Sequence, residues 1–398
     1  MRAYLLNLKL KGMKNIYKEI KLSFYKPDLK NFNSGKYRVK GIFGRNGIGK
    51  TALVKSVEIV KNIVVEENYL KNRKNQAMLG RLINKNTGIF HIGMEFLLLK
   101  GNKRILSHFL ELEKKRGKIV VRSEKIELQN IKGEIIDEIE ILKGKVIKAK
   151  KGGFNIETEK MEYICSELTE EKSILNFFKE DRNSEGKEND LISLYHIYNF
   201  LIKVYTQDSD KSVLKVCKDV RTVEEVKKRV RKKTEFLKLF ISDLKNVRIE
   251  EKKIEKGYFL EFILEYRDYS LNIDFESMGI RNLFLLYDYF IDVYEGKIVF
   301  ADEIDLSIHE VYLNKIVEFL ARMGEGQLVF TCHNTGLLDI LKKFRYSIDF
   351  LTENQEIESW KQKGNSSPRL KYREGMLKDM PFNIEYYDFY PLFTGDDE

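Results

Sequence analysis

Residues 41–53, GIFGRNGIGKTAL, constrain the fold more than any other stretch. The run KYRVKGIF leads into them as a strand, and TALVKSVEIVKNIVVEENYL leaves them with Leu53, Val57, Val60 and Val64 at helical spacing. A glycine loop between strand and helix is the setting that the phosphate-binding pattern G-x-x-x-x-G-K-S/T requires, and Gly44, Gly49, Lys50 and Thr51 fill that pattern. Bare glycines let backbone N–H groups turn inward around phosphates, the Lys50 ammonium reaches the β- and γ-oxygens, and the Thr51 hydroxyl binds Mg2+. The helix is expected to start at Gly49 or Lys50, and the fold class to be α/β.

Holding phosphates is not enough for hydrolysis, because something must grip the metal's far side and orient the attacking water. KIVFADEID supplies both: Ile298 to Ala301 form a buried strand ending in Asp302, a ligand for Mg2+, and Glu303, the general base. In GQLVFTCHN, Leu328 to Phe330 deliver His333 to a second strand end, where an imidazole contacts the γ-phosphate. Upstream, FESMGIRNLFLLYDYF sets Ser277 and Gly279 at the start of an amphipathic helix, so hydroxyl, bare backbone and helix dipole converge on an anion. The cofactors implied are ATP and Mg2+. Two decoys fall away. His309-Glu310 opens the zinc motif H-E-x-x-H, but Leu313 stands at the second histidine position. Cys332 and His333, adjacent on a strand, point to opposite faces and form no nucleophile pair.

Elsewhere, residues 3–10 and 19–25 read as strands, and short β-rich runs from 89 to about 158, punctuated by Gly88, Gly101, Gly117, Gly133 and Gly144, predict an antiparallel meander. Residues 160–250 read as helical, with a polar break at KEDRNSEGKEND, an N-cap at Asp190 and a capping box from Thr222 to Glu225. On that last helix Val223, Val226, Val230 and Leu237 share one face. Lys227, Lys228, Arg229, Arg231, Lys232 and Lys233 crowd the rest, either as a solvated surface or as a grip on nucleic-acid phosphates. YFLEFILEY returns to strand texture. The organisation expected is an N-terminal half of an ATPase head with the meander (1–158), a helical insertion (159–255), the C-terminal half of the head (256–345), and a tail (346–398). In the tail Tyr386, Tyr387, Phe389 and Tyr390 are candidate anchors for a partner.

Composition narrows the partners. Lys and Arg number 71 against 61 Asp and Glu, a net charge of +10 that suits a polyanionic partner without demanding one. Cys165, Cys217 and Cys332 lack C-x-x-C spacing, which argues against a disulfide framework and a thiolate zinc site. The opening MRAYLLNLKLKGMKN has no signal h-region, and Asp288 and Asp292 break LFLLYDYFIDVY well short of the ~20 apolar residues of a membrane span. A cytoplasmic protein without a membrane partner is expected.

Taken in order, GRNGIGKT, ESMGIRNL, VFADEIDLSIH and VFTCHNTGLLD resemble the head of the ABC/SMC-type ATPases: Walker A, signature, Walker B with D-loop, and switch histidine. More narrowly, N-G-x-G-K-T with Asn46 and Gly47, D-E-I-D-x-S-x-H and T-x-H-N-T-x-L-L-D resemble the bacterial abortive-infection and OLD-type AAA ATPases of phage defence. The resemblance covers residues 1 to about 75 and 260 to 345. It implies an ABC-type P-loop head with an antiparallel β sub-sheet and a helical insertion, working as a homodimer or higher homo-oligomer through shared ATP sites. Ser277 and Gly279 of one copy would close on the γ-phosphate held by the Walker A of another. Three departures stand out: S-M-G-I replaces S-G-G-Q, His309 sits where transporters carry a D-loop Asp, and no Q-loop glutamine is assigned.

For function, the resemblance implies an ATPase acting as sensor or regulatory subunit of an anti-phage system, controlling a separately encoded effector, a nuclease or a toxin. The absence of a long heptad run argues against a chromosome-scale tether. About sixty-five residues follow His333, too few for the Toprim nuclease of OLD-type proteins. The alternatives are a RecF-like DNA repair or recombination ATPase, with nucleic acid as partner, and a nucleotide-gated scaffold with little turnover, against which Glu303 speaks.

Overall fold

The computed structural model describes residues 2–25, 29–30, 32–99, 103–150, 153–179, 189–206, 213, 215–217, 219–255, 257–361 and 366–376. The first half runs β1 (Ala3–Lys11), β2 (Ile20–Ser23), β3 (Val39–Phe43), α1 (Lys50–Val65), α2 (Arg73–Leu82), β4 (Ile89–Leu98), β5 (Arg104–Lys115), β6 (Lys118–Asn130), β7 (Ile135–Leu142), β8 (Lys145–Ala149), α3 (Thr158–Glu167) and α4 (Asp190–His196). The second runs β9 (Ile202–Tyr205), β10 (Lys215–Cys217), α5 (Val220–Lys238), β11 (Asn246–Ile254), β12 (Gly257–Glu265), β13 (Ser270–Asn272), α6 (Met278–Tyr294), β14 (Ile298–Ala301), α7 (Glu310–Met323), β15 (Gln327–Thr331), α8 (Leu337–Leu341), β16 (Ile348–Leu351), β17 (Ile357–Ser359) and α9 (Pro368–Arg373).

The uninterrupted apolar runs become the central strands of a six-stranded sheet ordered β17-β16-β3-β15-β14-β9, parallel throughout except for the β16–β17 pair. Such runs are what a parallel sheet covered on both faces requires. Side chains alternate across it: Ile298 and Phe300 enter one core, Val299 and Ala301 the other. The first core lies between this sheet and a seven-stranded antiparallel sheet, β2-β1-β4-β5-β6-β7-β8, with α1 packed in it. That position explains why α1 is buried nearly all round, Ala52, Val54 and Ile59 included, and not only along the stripe its spacing suggested. The second core gathers α5 to α8 and a small antiparallel sheet, β10-β12-β11 with β13 on β12.

Two buried polar clusters tie elements of these cores together. Glu124, fully buried, accepts from Ser173 Oγ (2.6 Å) and the Ile174 N–H (2.9 Å) and lies 2.9 Å from His108 Nε2, while His108 Nδ1 meets the Tyr198 hydroxyl at 2.8 Å. Lys40 on β3 donates to Asp349 on β16 at 2.6 Å, with both side chains out of water.

The meander and the strands around the glycine loop match the sequence reading; the expected helical stretch differs. Strand β9 lies inside residues 159–255 and pairs with β14, and β10 and β11 lie there too. FLIKVY reads as helix in the sequence because α4 runs through a π-helical turn, Ile197–Leu201, straight into the strand. The cap of α4 is Asn189, with Asp190 the first helical residue; the cap of α5 is Asp219, not Thr222, whose own N–H and hydroxyl bond to the Asp219 carboxylate. Val223, Val226, Val230 and Leu237 are buried as expected, but so is Lys233, which leaves the outward basic face. Strands β16 and β17 carry residues of the expected tail into the central sheet. The break KEDRNSEGKEND lies largely, and Tyr386, Tyr387, Phe389 and Tyr390 lie entirely, outside the described residues. Among the described residues no helix is long and apolar enough to cross a membrane.

Candidate nucleotide-binding site

In the sheet, Ile42 of β3 sits level with Thr331 of β15, and Phe330 with Ala301 of β14. The three segments that carry Gly44, Asp302 and His333 therefore leave the sheet at one edge, the carboxyl ends of parallel strands, where α/β sheets bind ligands. The strand order, with β15 between the P-loop strand and the acid-bearing strand, and the antiparallel sub-sheet make the fold α/β, consistent with an ABC-type P-loop head.

The loop's conformation needs its glycines. Gly44, Gly47 and Gly49 have φ of 154°, 76° and 118°. A Cβ on Gly44 would stand 2.7 Å from the Leu351 carbonyl oxygen, and one on Gly49 2.8 Å from Ile16 Cγ1. Helix α1 starts at Lys50 with Gly49 as its cap, and no side chain takes its first N–H groups. Those donors face the loop with the positive end of the helix dipole behind them. Lys50 is buried and donates to the carbonyls of Gly44 (2.6 Å) and Arg45 (3.0 Å). Burial pulls its ammonium below the ordinary lysine range, opposed by the nearby carboxylates of Glu303, Asp302 and Asp305. The glycine loop and the acids thus share one electrostatic site.

Asp302, buried, is held by the Thr331 hydroxyl, which donates to its Oδ1 at 2.5 Å; the same hydroxyl oxygen accepts the Glu303 N–H at 2.8 Å. Glu303 adopts φ of 48°, left-handed backbone that a non-glycine residue holds at a cost, a feature that clusters at active sites. Its Oε1 lies 3.4 Å from His333 Nε2. Asp305 Oδ2 accepts the N–H groups of His333 (3.0 Å) and Asn334 (2.7 Å), latching the switch loop to the acid loop. His309 caps α7, its Nδ1 accepting from the Val311 N–H at 3.4 Å, and Glu310 accepts from Asn334 Nδ2 at 3.2 Å.

Ser277 and Gly279 stand apart. Ser277 caps α6, its hydroxyl accepting the Ile280 N–H at 3.3 Å, and both residues are exposed. No described contact of either reaches the P-loop.

Thr51, half-buried, follows Lys50 in the first turn of α1, and Asp302 stands just past the end of β14; both carry oxygen donors of the kind Mg2+ takes. Among the described residues no cluster of three His, Cys, Asp or Glu could hold a metal ion. Asn46, exposed in the loop, has no described side-chain contact to assign it a role.

Sequence reading missed the supporting residues. Thr331 and Asp305 lie inside quoted motifs, yet their partners are set by the fold. Asn15, on the β1–β2 loop, donates to the Gly47 carbonyl at 2.5 Å, and Gln355 orders that loop by accepting the N–H groups of Tyr17 and Lys18, both at 2.8 Å.

No protein-family model and no curated protein matches the sequence. Among solved structures, the recombination mediator protein RecF of the RecFOR pathway is similar at 11% identity. Its RecF-ATPrS structure aligns over 90% of this chain and 99% of that one with a TM-score of 0.41, and its RecF-ATP structure over 90% and 98% with a TM-score of 0.40.

Proposed function

We propose that the chain is an ATPase that hydrolyses ATP between two copies of itself and uses the cycle, as a regulatory subunit in phage defence, to control a separately encoded effector. The observation that carries the catalytic part is the convergence of Lys50, Asp302, Glu303 and His333 at one sheet edge, with Ser277 and Gly279 exposed elsewhere. In this reading Lys50 exchanges the carbonyls of Gly44 and Arg45 for phosphate oxygens. Thr51 and Asp302 would hold Mg2+, which would supply neutralisation of phosphate charge. Glu303 takes the proton of the attacking water, and His333 donates to the γ-phosphate. Ser277 and Gly279, with the α6 N-terminus behind them, close on the γ-phosphate of a second copy. The defence role rests on the motif resemblance alone.

The test is the solution mass of the Glu303→Gln protein with and without Mg2+-ATP, with Lys50→Ala as control. A larger assembly for the Gln variant only is expected. No response to ATP from the Gln variant would overturn the shared site. Turnover unchanged in Glu303→Gln would overturn the general base and favour a nucleotide-gated scaffold. Turnover stimulated by DNA with no effector present would replace the defence reading with a RecF-like DNA repair or recombination role.

A further inference from the structure

A cavity of about 390 Å3 opens between α5, α6 and β9, the last strand of the central sheet among the described residues. On α5, Val226, Arg229, Val230 and Lys233 follow the spacing of one helix face, so part of the basic stretch turns inward here. Lys203 of β9, Lys215 of β10 and Lys297 before β14 add three more cations, against the carboxylates of Asp288 and Asp292 on α6.

These charges are unevenly matched. Lys233 lies 2.8 Å from Asp288 Oδ2 and 3.8 Å above the centre of the Phe284 ring, Lys297 pairs with Asp292, and Arg229 meets Glu295 at 3.2 Å. Among the described residues no carboxylate comes within 4.0 Å of Lys203 or Lys215. Lys203 is also held in place: its neighbouring carbonyls on the sheet edge are taken by Lys61 Nζ (Ile202, 2.8 Å) and the Tyr289 hydroxyl (Val204, 3.1 Å). Burial pulls the Lys203 ammonium below its ordinary range, with Lys297 and Arg229 adding to the effect and Asp292 opposing it. An anion beside it would relieve that cost. The remaining wall, with Leu285, Tyr289, Phe284 and Val230, is apolar and aromatic. The volume falls within the ~300–1,000 Å3 usual for small-molecule pockets.

We propose that this cavity binds a small phosphorylated ligand of the nucleoside monophosphate class, with its phosphate on Lys203 and Lys215 and its ring against the apolar wall. The site is separate from the P-loop and does not depend on the ATPase reading. A ligand here would touch α6, whose N-terminus carries Ser277 and Gly279, and Lys297, which leads into β14 and Asp302.

The test is calorimetric titration of full-length Lys50→Ala protein, which removes the P-loop's own phosphate contact, with AMP, GMP, CMP and UMP singly at low salt. One nucleotide is expected to bind once per chain. Its affinity should fall at least tenfold in the Lys50→Ala/Lys203→Gln/Lys215→Gln protein, with a thermal midpoint matching the parent as control for folding. Binding by none of the four, or binding indifferent to Lys203 and Lys215, overturns the proposal. Inorganic phosphate bound as tightly as the best nucleotide overturns the nucleoside part. A single-stranded oligonucleotide that binds through Lys203 and Lys215 where no mononucleotide does assigns the surface to nucleic acid instead.

Discussion

Thr331→Val tests whether one buried hydroxyl positions both Asp302 and Glu303. Valine keeps the shape of threonine, so no cavity opens and the hydroxyl alone is lost. That hydroxyl, fully buried, donates to Asp302 Oδ1 at 2.5 Å and accepts the Glu303 N–H at 2.8 Å. A hydrogen bond to a charged acceptor contributes about 1.5–3 kcal/mol, and an unpaired buried N–H costs about 1–3 kcal/mol more. Glu303 is only half-buried, so its N–H regains some water, and the sum falls to about 2–4 kcal/mol. Urea denaturation followed by the fluorescence of Trp360, whose backbone N–H donates to the Ile348 carbonyl of β16 at 2.9 Å, reports on this sheet. Thr331→Ser, which keeps the hydroxyl, separates hydrogen bonding from packing. Turnover of ATP should fall by roughly 10–100-fold in the valine variant, because Glu303 loses the tie that holds its left-handed backbone. A valine variant as stable as the serine variant would refute the reasoning.

Asp349→Ala, which strands the buried Lys40 ammonium, should cost about 3–5 kcal/mol, whereas Lys40→Met with Asp349→Leu should come close to wild type in the same urea titration. Gly49→Ala forces a Cβ against Ile16 at φ of 118°, so ATP binding measured by filter retention should be lost while the thermal midpoint falls only modestly. Burial pulls the Lys233 ammonium down to about 8 from 10.5, so the unfolded chain binds more protons between those values and stability rises with pH through that window. Relative to Lys233→Met, the wild type should gain about 2 kcal/mol from about pH 7.5 to about pH 9.5 in denaturant titrations, and a flat difference would disprove it.

The parts of the site that were legible in the sequence are those whose chemistry is local. GRNGIGKT, the pair Asp302-Glu303 and the strand end before His333 each carry their meaning within ten residues, and the fold brings them to one edge. What was hidden depends on partners far along the chain. Gln355 meets Tyr17 across 338 positions, and no periodicity links them. Strand β9 has only four residues and follows helical turns without a break, so its pattern reads as more helix. Lys233 reads as surface because lysine usually is; the Phe284 ring and the Asp288 carboxylate that admit it belong to α6, and sequence spacing on α5 says nothing of them.

These long-range contacts divide the site into two separately supported halves. The P-loop rests on Asn15 at the Gly47 carbonyl and on Arg45 paired with Glu353, both from segments remote in sequence. The acids rest on Thr331 and Asp305, which tie the β14 and β15 loops to each other. Lys50 links the halves, since its bonds go to the P-loop carbonyls while its charge faces Asp302, Glu303 and Asp305. Phosphate oxygens would offer that ammonium full charges in place of two carbonyl dipoles, and charge-assisted bonds are roughly twice as strong as neutral ones. The binding energy so gained offsets the burial that now depresses Lys50. It follows that Lys50→Ala should weaken nucleotide binding more than it destabilises the fold, because the alanine protein no longer has a buried charge to solvate.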